Sequence, residues 1–175
     1  MTTLLIAEHD NAALKETTAR ALTAARELGG PVHVLVAGKD CAAVAAAAAG
    51  LDGAARVLHA ESEALGHQLS EPLAALIVGL APAYAALVAP ATATGKTVMP
   101  RVAALLDTMQ VSEITRVVAP DTFERPIYAG NAIETVSTGT ARRVITGRAA
   151  AFKPATALSD PVPVETVAAP SAGRT

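Results

Sequence analysis

The chain has 175 residues, which suits one folded domain with at most a short appendage. A hydrophobic fraction of 51% supplies enough apolar surface for a core and excludes an intrinsically disordered protein. A net charge of −2, with two tyrosines, two phenylalanines and no tryptophan to stack on bases, argues against a nucleic-acid-binding protein.

The first 110 residues alternate between short apolar runs and stretches with helical periodicity. The apolar runs predict buried strands over residues 3–8, 31–38, 56–60 and 84–89. Helices are predicted from a cap at Asp10 or Asn11 to Leu28, from Asp40 to Ala49, from Ser70 to Leu80, and from Val98 to Met109. The last helix is placed late because Pro100 fits only in a first turn. Four strand–helix units predict an α/β fold, a three-layer sandwich with a mainly parallel sheet.

The pattern changes after Gln110, where β-rich segments follow one another with no helix between them. They span 115–119, 127–129, 132–137 and 142–148, and residues 138–140 (Thr-Gly-Thr) predict a hairpin turn between the last two. An antiparallel strand extension of the parallel sheet is expected. From Lys153 onward prolines recur without a hydrophobic period, which predicts a flexible linker or tail over 153–175 after a domain over 1–152.

The amino terminus and the single cysteine bear on the cellular compartment. Residues 1–10 lack the basic region of a signal peptide, and no apolar run reaches the ~18–20 residues that a membrane-spanning helix needs. Cys41 has no second cysteine with which to form an internal disulfide, as is usual in a reducing compartment. These features predict a cytoplasmic protein without membrane insertion.

Residues 90–97, Pro-Ala-Thr-Ala-Thr-Gly-Lys-Thr, follow a predicted strand and resemble a phosphate-binding P-loop. Gly95, Lys96 and Thr97 match the end of that motif, but Pro90 stands where a glycine is needed. Proline has no amide hydrogen to point at a phosphate, and its φ is fixed. Nucleotide hydrolysis is therefore not predicted. A weak, non-catalytic anion site stays open, because α/β sheets bind ligands at the carboxyl ends of their strands.

Two other groups of polar residues are candidates for chemistry. His59, Glu61, Glu63 and His67 lie close together in sequence, but no cysteine pair or His-x-x-x-His spacing supports a closed metal site. Solvated charges at a strand end are the expected role of these four residues. The Gly-x-Ser-x-Gly motif of serine hydrolases is absent, so no catalytic residue is predicted.

Residues 121–136 are the most unusual stretch of the chain. They contain two of the four aromatic side chains, Phe123 and Tyr128, together with Arg125 and Pro126. Two interpretations stay open at this point. The segment is either a surface that binds a partner or ligand, or a structural hairpin in which Gly130 supplies an unusual φ.

Several runs together resemble the alpha subunit of electron transfer flavoproteins over residues 1–152. The strongest are Met-Pro-Arg-Val-Ala-Ala-Leu-Leu-Asp at 99–107, Ser-Glu at 112–113, and Asp-Thr-Phe-Glu-Arg-Pro-Ile-Tyr-Ala-Gly-Asn-Ala at 121–132. Residues 4–8 and 66–72 are similar to that family as well.

This resemblance implies a nucleotide-binding-like α/β sandwich (adenine nucleotide alpha hydrolase-like) that pairs with a beta subunit. It implies an FAD-dependent electron carrier that serves flavin dehydrogenases of fatty-acid oxidation. In the family, FAD is held mostly by a carboxyl-terminal domain, so none is expected on this chain alone. Phe123, Arg125 and Tyr128 are expected to be structural or interface residues, and the chain a scaffold rather than an enzyme. The alternative is a stand-alone nucleotide-binding module of the universal-stress-protein type.

Overall fold

Ten strands and four helices make up the computed structural model, which describes residues 1–169. The strands are β1 (Thr3–Ile6), β2 (Val32–Gly38), β3 (Ala54–Glu61), β4 (Ala86–Pro90), β5 (Gln110–Ile114), β6 (Arg116–Ala119), β7 (Thr122–Ile127), β8 (Ala132–Ser137), β9 (Arg143–Gly147) and β10 (Val164–Thr166). The helices are α1 (Glu16–Glu27), α2 (Ala42–Ala49), α3 (Ser70–Leu80) and α4 (Ala93–Leu105).

A seven-stranded sheet in the order β10-β3-β2-β1-β4-β9-β5 forms the middle layer, and every neighbouring pair in it is parallel. Strand β1 lies near the centre, with β2 on one side and β4 on the other. A separate antiparallel sheet has the order β6-β7-β8. The predicted three-layer, mainly parallel α/β fold with an antiparallel addition is confirmed.

The sheet separates two apolar cores, because side chains alternate between its faces. Leu5 of β1 packs with α1 and α2, whereas Leu4 and Ile6 pack with α3 and α4. Phe123 brings the small sheet into the first of these cores. Full burial of one such side chain stabilises the fold by ~1.5–3 kcal/mol, so both layers of helices contribute substantially.

Two helix starts differ from the prediction. Helix α1 begins at Glu16 because the Asp10 carboxylate caps a local turn, accepting the N–H groups of Ala12 and Ala13. Helix α4 begins at Ala93, so Pro100 lies inside it and not in its first turn. The proline withholds a hydrogen bond from the Lys96 carbonyl on an exposed side of the helix, where water can take its place.

The predicted arrangement of the β-rich region is wrong in three respects. The segment 142–148 becomes β9, which lies between β4 and β5 in the parallel sheet and is not part of the antiparallel extension. Residues 138–140 therefore connect two different sheets and do not form a hairpin turn. The true hairpin joins β7 and β8, so that residues 128–130 form a tight turn where a strand over 127–129 is predicted.

The segment after Lys153 is packed against the domain, and the prediction of a flexible linker or tail is wrong for residues 153–169. We call residues 153–167 the strap. It crosses the layer of α1 and α2, donating the Ala155 N–H to the Ala19 carbonyl and the Val162 N–H to the Ala49 carbonyl. It ends in β10, which pairs with β3. Residues 170–175 of the predicted tail lie outside the described part of the chain.

Candidate functional site

Most of the unusual segment 121–136 folds into a hairpin with exposed apolar side chains, which we call the hairpin arm (residues 122–137). It comprises β7, β8 and the turn between them, with six aligned residue pairs from Thr122–Ser137 to Ile127–Ala132. Strand β8 is an edge strand of its sheet. Edge strands present unpaired backbone groups, which makes them natural places for association with another chain.

The tip of the arm is held in a strained turn. Tyr128, Ala129 and Gly130 all have positive φ, at 50°, 54° and 92°. Left-handed backbone is costly for a bulky residue such as tyrosine, by the order of 1–3 kcal/mol. This turn leaves Tyr128 79% exposed, the highest exposure of any large apolar residue in 1–169.

Alternation along the arm gives it two different faces. Phe123 points inward and is fully buried, so of the two roles expected for it, burial favours the structural one. Ile133 lies across from Pro126 on the opposite face and is 60% exposed. Tyr128, Ile133 and Pro126 together form an apolar tip at the free end of the arm.

The charges near the tip are neutralised within the arm and its neighbour. The Arg125 Nε donates to Glu134 Oε2 at 2.7 Å, and Arg116 Nη1 lies 3.3 Å from Glu124 Oε1. Arg125 is therefore already engaged by Glu134, and its guanidinium is an internal brace of the arm. An apolar tip with paired charges behind it suits a partner surface that buries apolar side chains.

Gly95, Lys96 and Thr97, the three residues of the predicted anion loop, each have a structural role of their own. Gly95 lies so close to the end of β4 that a Cβ there would overlap the Pro90 carbonyl oxygen. The Thr97 hydroxyl donates to the Thr94 carbonyl. Lys96 Nζ pairs with Glu113 Oε1 at 2.5 Å, and the same carboxylate accepts from Arg148 Nη2 at 3.1 Å. These two cations hold the pKa of Glu113 below its usual range.

This loop borders a narrow, mostly apolar cleft between the ends of β1 and β4, lined in part by Ile6, Glu8, Thr92 and Met99. Glu8 is buried there, and its carboxylate accepts from the Thr17 hydroxyl at 2.6 Å. Lys96 is engaged by the Glu113 carboxylate, which it shares with Arg148, so the three side chains together keep a net positive charge. To bind a phosphate, the Lys96 ammonium would have to give up this ion pair. The anion site at residues 95–97 stays a prediction, and the stand-alone nucleotide-binding alternative gains no support from these contacts.

The polar residues at the end of β3 form a local network. His59 Nε2 lies 3.4 Å from the Cys41 Sγ and 3.3 Å from Glu61 Oε2. Glu63 pairs with Lys39 Nζ at 2.7 Å, and His67 is exposed. In residues 1–169, no group of three or more His, Cys, Asp or Glu side chains is arranged to hold a metal ion.

A family profile described as "Electron transfer flavoprotein domain" matches residues 3–172, nearly the whole sequence. The chain belongs to the electron transfer flavoprotein family. This confirms the resemblance found in the sequence.

Individual relatives place the chain more closely within the electron transfer flavoprotein family. It is 62% identical over 169 residues to the electron transfer flavoprotein subunit alpha of Bradyrhizobium diazoefficiens, covering 97% of this chain and 54% of that protein. The alpha subunits of Pseudomonas aeruginosa and Paracoccus denitrificans are 52% and 49% identical, covering 98% and 99% of this chain and 55% and 56% of those proteins. The chain thus spans about half the length of these alpha subunits, and it corresponds to their amino-terminal domain.

Within the described part of this electron transfer flavoprotein chain, no helix is both long and apolar enough to cross a membrane.

Two residues of the sites above were not predicted from the sequence. Ile133 belongs to an alternating strand, and its outward position could have been found by placing Phe123 inward. Glu113 belongs to the Ser-Glu run of the family resemblance, but its pairing with Lys96 and Arg148 could not be found from the sequence, because that pairing depends on the order of β4, β9 and β5 in the sheet.

Proposed function

We propose that this chain is the scaffold and docking part of an FAD-dependent electron carrier, and that its hairpin arm binds an electron transfer flavoprotein beta subunit. The observation that carries this proposal is the apolar tip formed by Tyr128, Ile133 and Pro126 on an edge strand. The expected partner follows from the family of the chain and from its relatives, which are alpha subunits.

The chain itself supplies no catalytic group in this proposal. FAD is bound by the remainder of the family complex, which accepts electrons from flavin dehydrogenases of fatty-acid oxidation in the cytoplasm. The two apolar cores and the parallel sheet provide a rigid body that presents the arm at a fixed position. Rigid presentation lowers the entropic cost of docking, because fewer groups are ordered when the partner binds.

The docking role is tested by weakening the tip without disturbing the arm. Tyr128→Asn keeps a residue that tolerates the left-handed turn, and Ile133→Thr keeps a β-branched side chain in β8. We expect the double variant to bind a cognate beta subunit with a Kd at least about ten-fold higher, since apolar anchors of this kind contribute ~1.4 kcal/mol or more. The Kd is measured by titrating the purified chain over surface-bound beta subunit, with the same concentration series for the original chain and for each variant.

Leu69→Gln is the matched control. Leu69 is 56% exposed just before α3, on the opposite side of the parallel sheet from the core that contains Phe123. Its replacement should leave the Kd unchanged. A double variant that binds as tightly as the original chain would place docking elsewhere, and an original chain that binds no beta subunit would end the docking proposal.

The cofactor assignment has a separate test in the absorption spectrum. We expect the purified chain to be colourless, and flavin absorption to require the remainder of the family complex. Flavin bands that copurify with the isolated chain would show that it holds FAD itself and would overturn this assignment.

A further inference from the structure

Asn11 joins three loops at the carboxyl edge of the parallel sheet. Its Oδ1 accepts the Lys39 N–H at 3.2 Å, directly after β2, and its Nδ2 donates to the Gly66 carbonyl at 2.7 Å, beyond β3. Asn11 itself lies in the loop after β1, with a left-handed φ of 71°. One side chain thus holds together segments that are far apart in sequence.

His9 fixes the position of Asn11 through the backbone. The imidazole Nδ1 accepts the Asn11 N–H at 3.1 Å, while Nε2 has no hydrogen-bond partner in the structure. His9 is only 4% exposed. Accepting through Nδ1 requires a neutral ring with its proton on Nε2, because a protonated Nδ1 is a donor and would face the donor N–H of Asn11.

The surroundings of His9 are closely packed. A Cβ at position 38 would overlap Asn11 Oδ1 and crowd both the His9 ring and the Cys41 Sγ, so glycine is needed there. The charged and titratable groups facing the ring are Glu8, Asp10 and Lys15 on its own segment, and Cys41 at the start of α2. Burial lowers the pKa of His9 more than the nearby Ala37 carbonyl and the two carboxylates raise it.

We propose that His9 and Asn11 form an acid-sensitive clasp, in which protonation of His9 releases the Asn11 side chain from the Lys39 N–H after β2 and from the Gly66 carbonyl after β3. Release removes the hydrogen bond that holds Asn11 in its left-handed conformation. The Asn11 backbone can then relax, and its side chain leaves the Lys39 N–H and the Gly66 carbonyl. The clasp is independent of any docking by the hairpin arm.

The clasp is tested by NMR on the intact chain, titrated from about pH 8 to about pH 5. The His9 imidazole signals report its protonation, and amide exchange, corrected for the intrinsic effect of pH, reports the protection of Lys39. We expect the protection of Lys39 to fall at least about ten-fold with the same midpoint as the His9 ring. Lys39 protection that stays constant while His9 titrates would overturn the proposal.

Two variants separate the clasp from general acid loosening. Asn11→Gly tolerates the left-handed φ and keeps the backbone N–H bonded to His9, but it removes both side-chain bonds. Lys39 should therefore be unprotected at every pH while His9 still titrates. His67→Gln changes an exposed histidine at the same edge and should leave the midpoint unchanged. A pH response of Lys39 that survives in Asn11→Gly, or disappears in His67→Gln, would contradict the clasp.

Discussion

Gly95 determines how closely α4 approaches the sheet. Its lack of a side chain lets the first turn of the helix lie against the Pro90 carbonyl. We expect Gly95→Ala to lower the free energy of unfolding by ~1–3 kcal/mol, because the Cβ must displace backbone. Gly79, exposed in α3 with open space around it, is the matched control. Gly79→Ala should raise the free energy of unfolding by ~0.5–1 kcal/mol, because alanine has the higher helix propensity. Equal changes for the two variants in urea unfolding would show that the Gly95 contact with Pro90 does not matter.

Cys41 is expected to be inert in the folded chain. The thiol is fully buried, and burial raises its pKa, so that the reactive thiolate is scarcer near neutral pH than in a free cysteine. Labelling with iodoacetamide should therefore be slow in buffer and become fast only in urea, at concentrations that unfold the chain. Rapid labelling of the native protein would show that α2 or its first turn opens readily.

At the scale of elements, the strap fastens the edge of the sheet to the layer of α1 and α2. Val162 is partly buried against the core on that side, whereas Val164 in β10 is 45% exposed. We expect Val162→Thr to lower the free energy of unfolding by ~1 kcal/mol, because it places a hydroxyl among apolar groups. Val164→Thr, the same change on the exposed side, should be nearly neutral in urea unfolding. Equal effects would mean that the strap is not packed as described.

The elements that the sequence predicted well are those with a strong local pattern. The four apolar runs and the helix over Ser70–Leu80 depend on their own residues and appear close to the predicted bounds. Strand β9 is as apolar as the others, but no helix precedes it, so its parallel pairing with β4 could not be found from neighbouring residues. Strand β10 has three exposed residues and no apolar pattern, and only its backbone pairing with β3 defines it.

The candidate site also has features that the sequence predicts and features that only the tertiary structure reveals. The arm, Tyr128 and the unusual φ at Gly130 follow from residue types that the sequence displays. The burial of Phe123 and the engagement of Lys96 by Glu113 depend on how separate strands come together. Local chemistry therefore predicted where the arm is, while tertiary packing decided which of its side chains a partner can reach.

For the whole molecule, acid should reduce stability before any carboxylate titrates. Burial lowers the pKa of His9, and burial and Arg56 lower the pKa of His33, below the ordinary value of 6.5. As pH falls below about 6.5, the unfolded chain therefore binds more protons than the folded one. The free energy of unfolding should fall from there down to the folded pKa values, and below about 4.5 the lowered pKa of Glu113 adds to the loss.

Urea unfolding at about pH 7.5 and about pH 5.5 measures this dependence. The double variant His9→Gln, His33→Gln should show a smaller difference between the two pH values, while His67→Gln should retain it. Stability that is flat or rises on acidification would show that these two imidazoles are not neutral in the folded chain.

The pairing of β10 with β3 also has a consequence for biosynthesis. Val164 pairs with Val57, so β3 is made long before the strand that covers its edge. A chain that emerges from the ribosome amino end first therefore exposes the β3 edge through most of its synthesis, and contacts between such distant segments form slowly. The open edge is a template on which strands of other nascent chains can pair. Once the strap has been synthesised and β10 has paired with β3, the β3 edge is covered at Val57, Leu58 and His59. The last described strand therefore protects the chain against this route to aggregation.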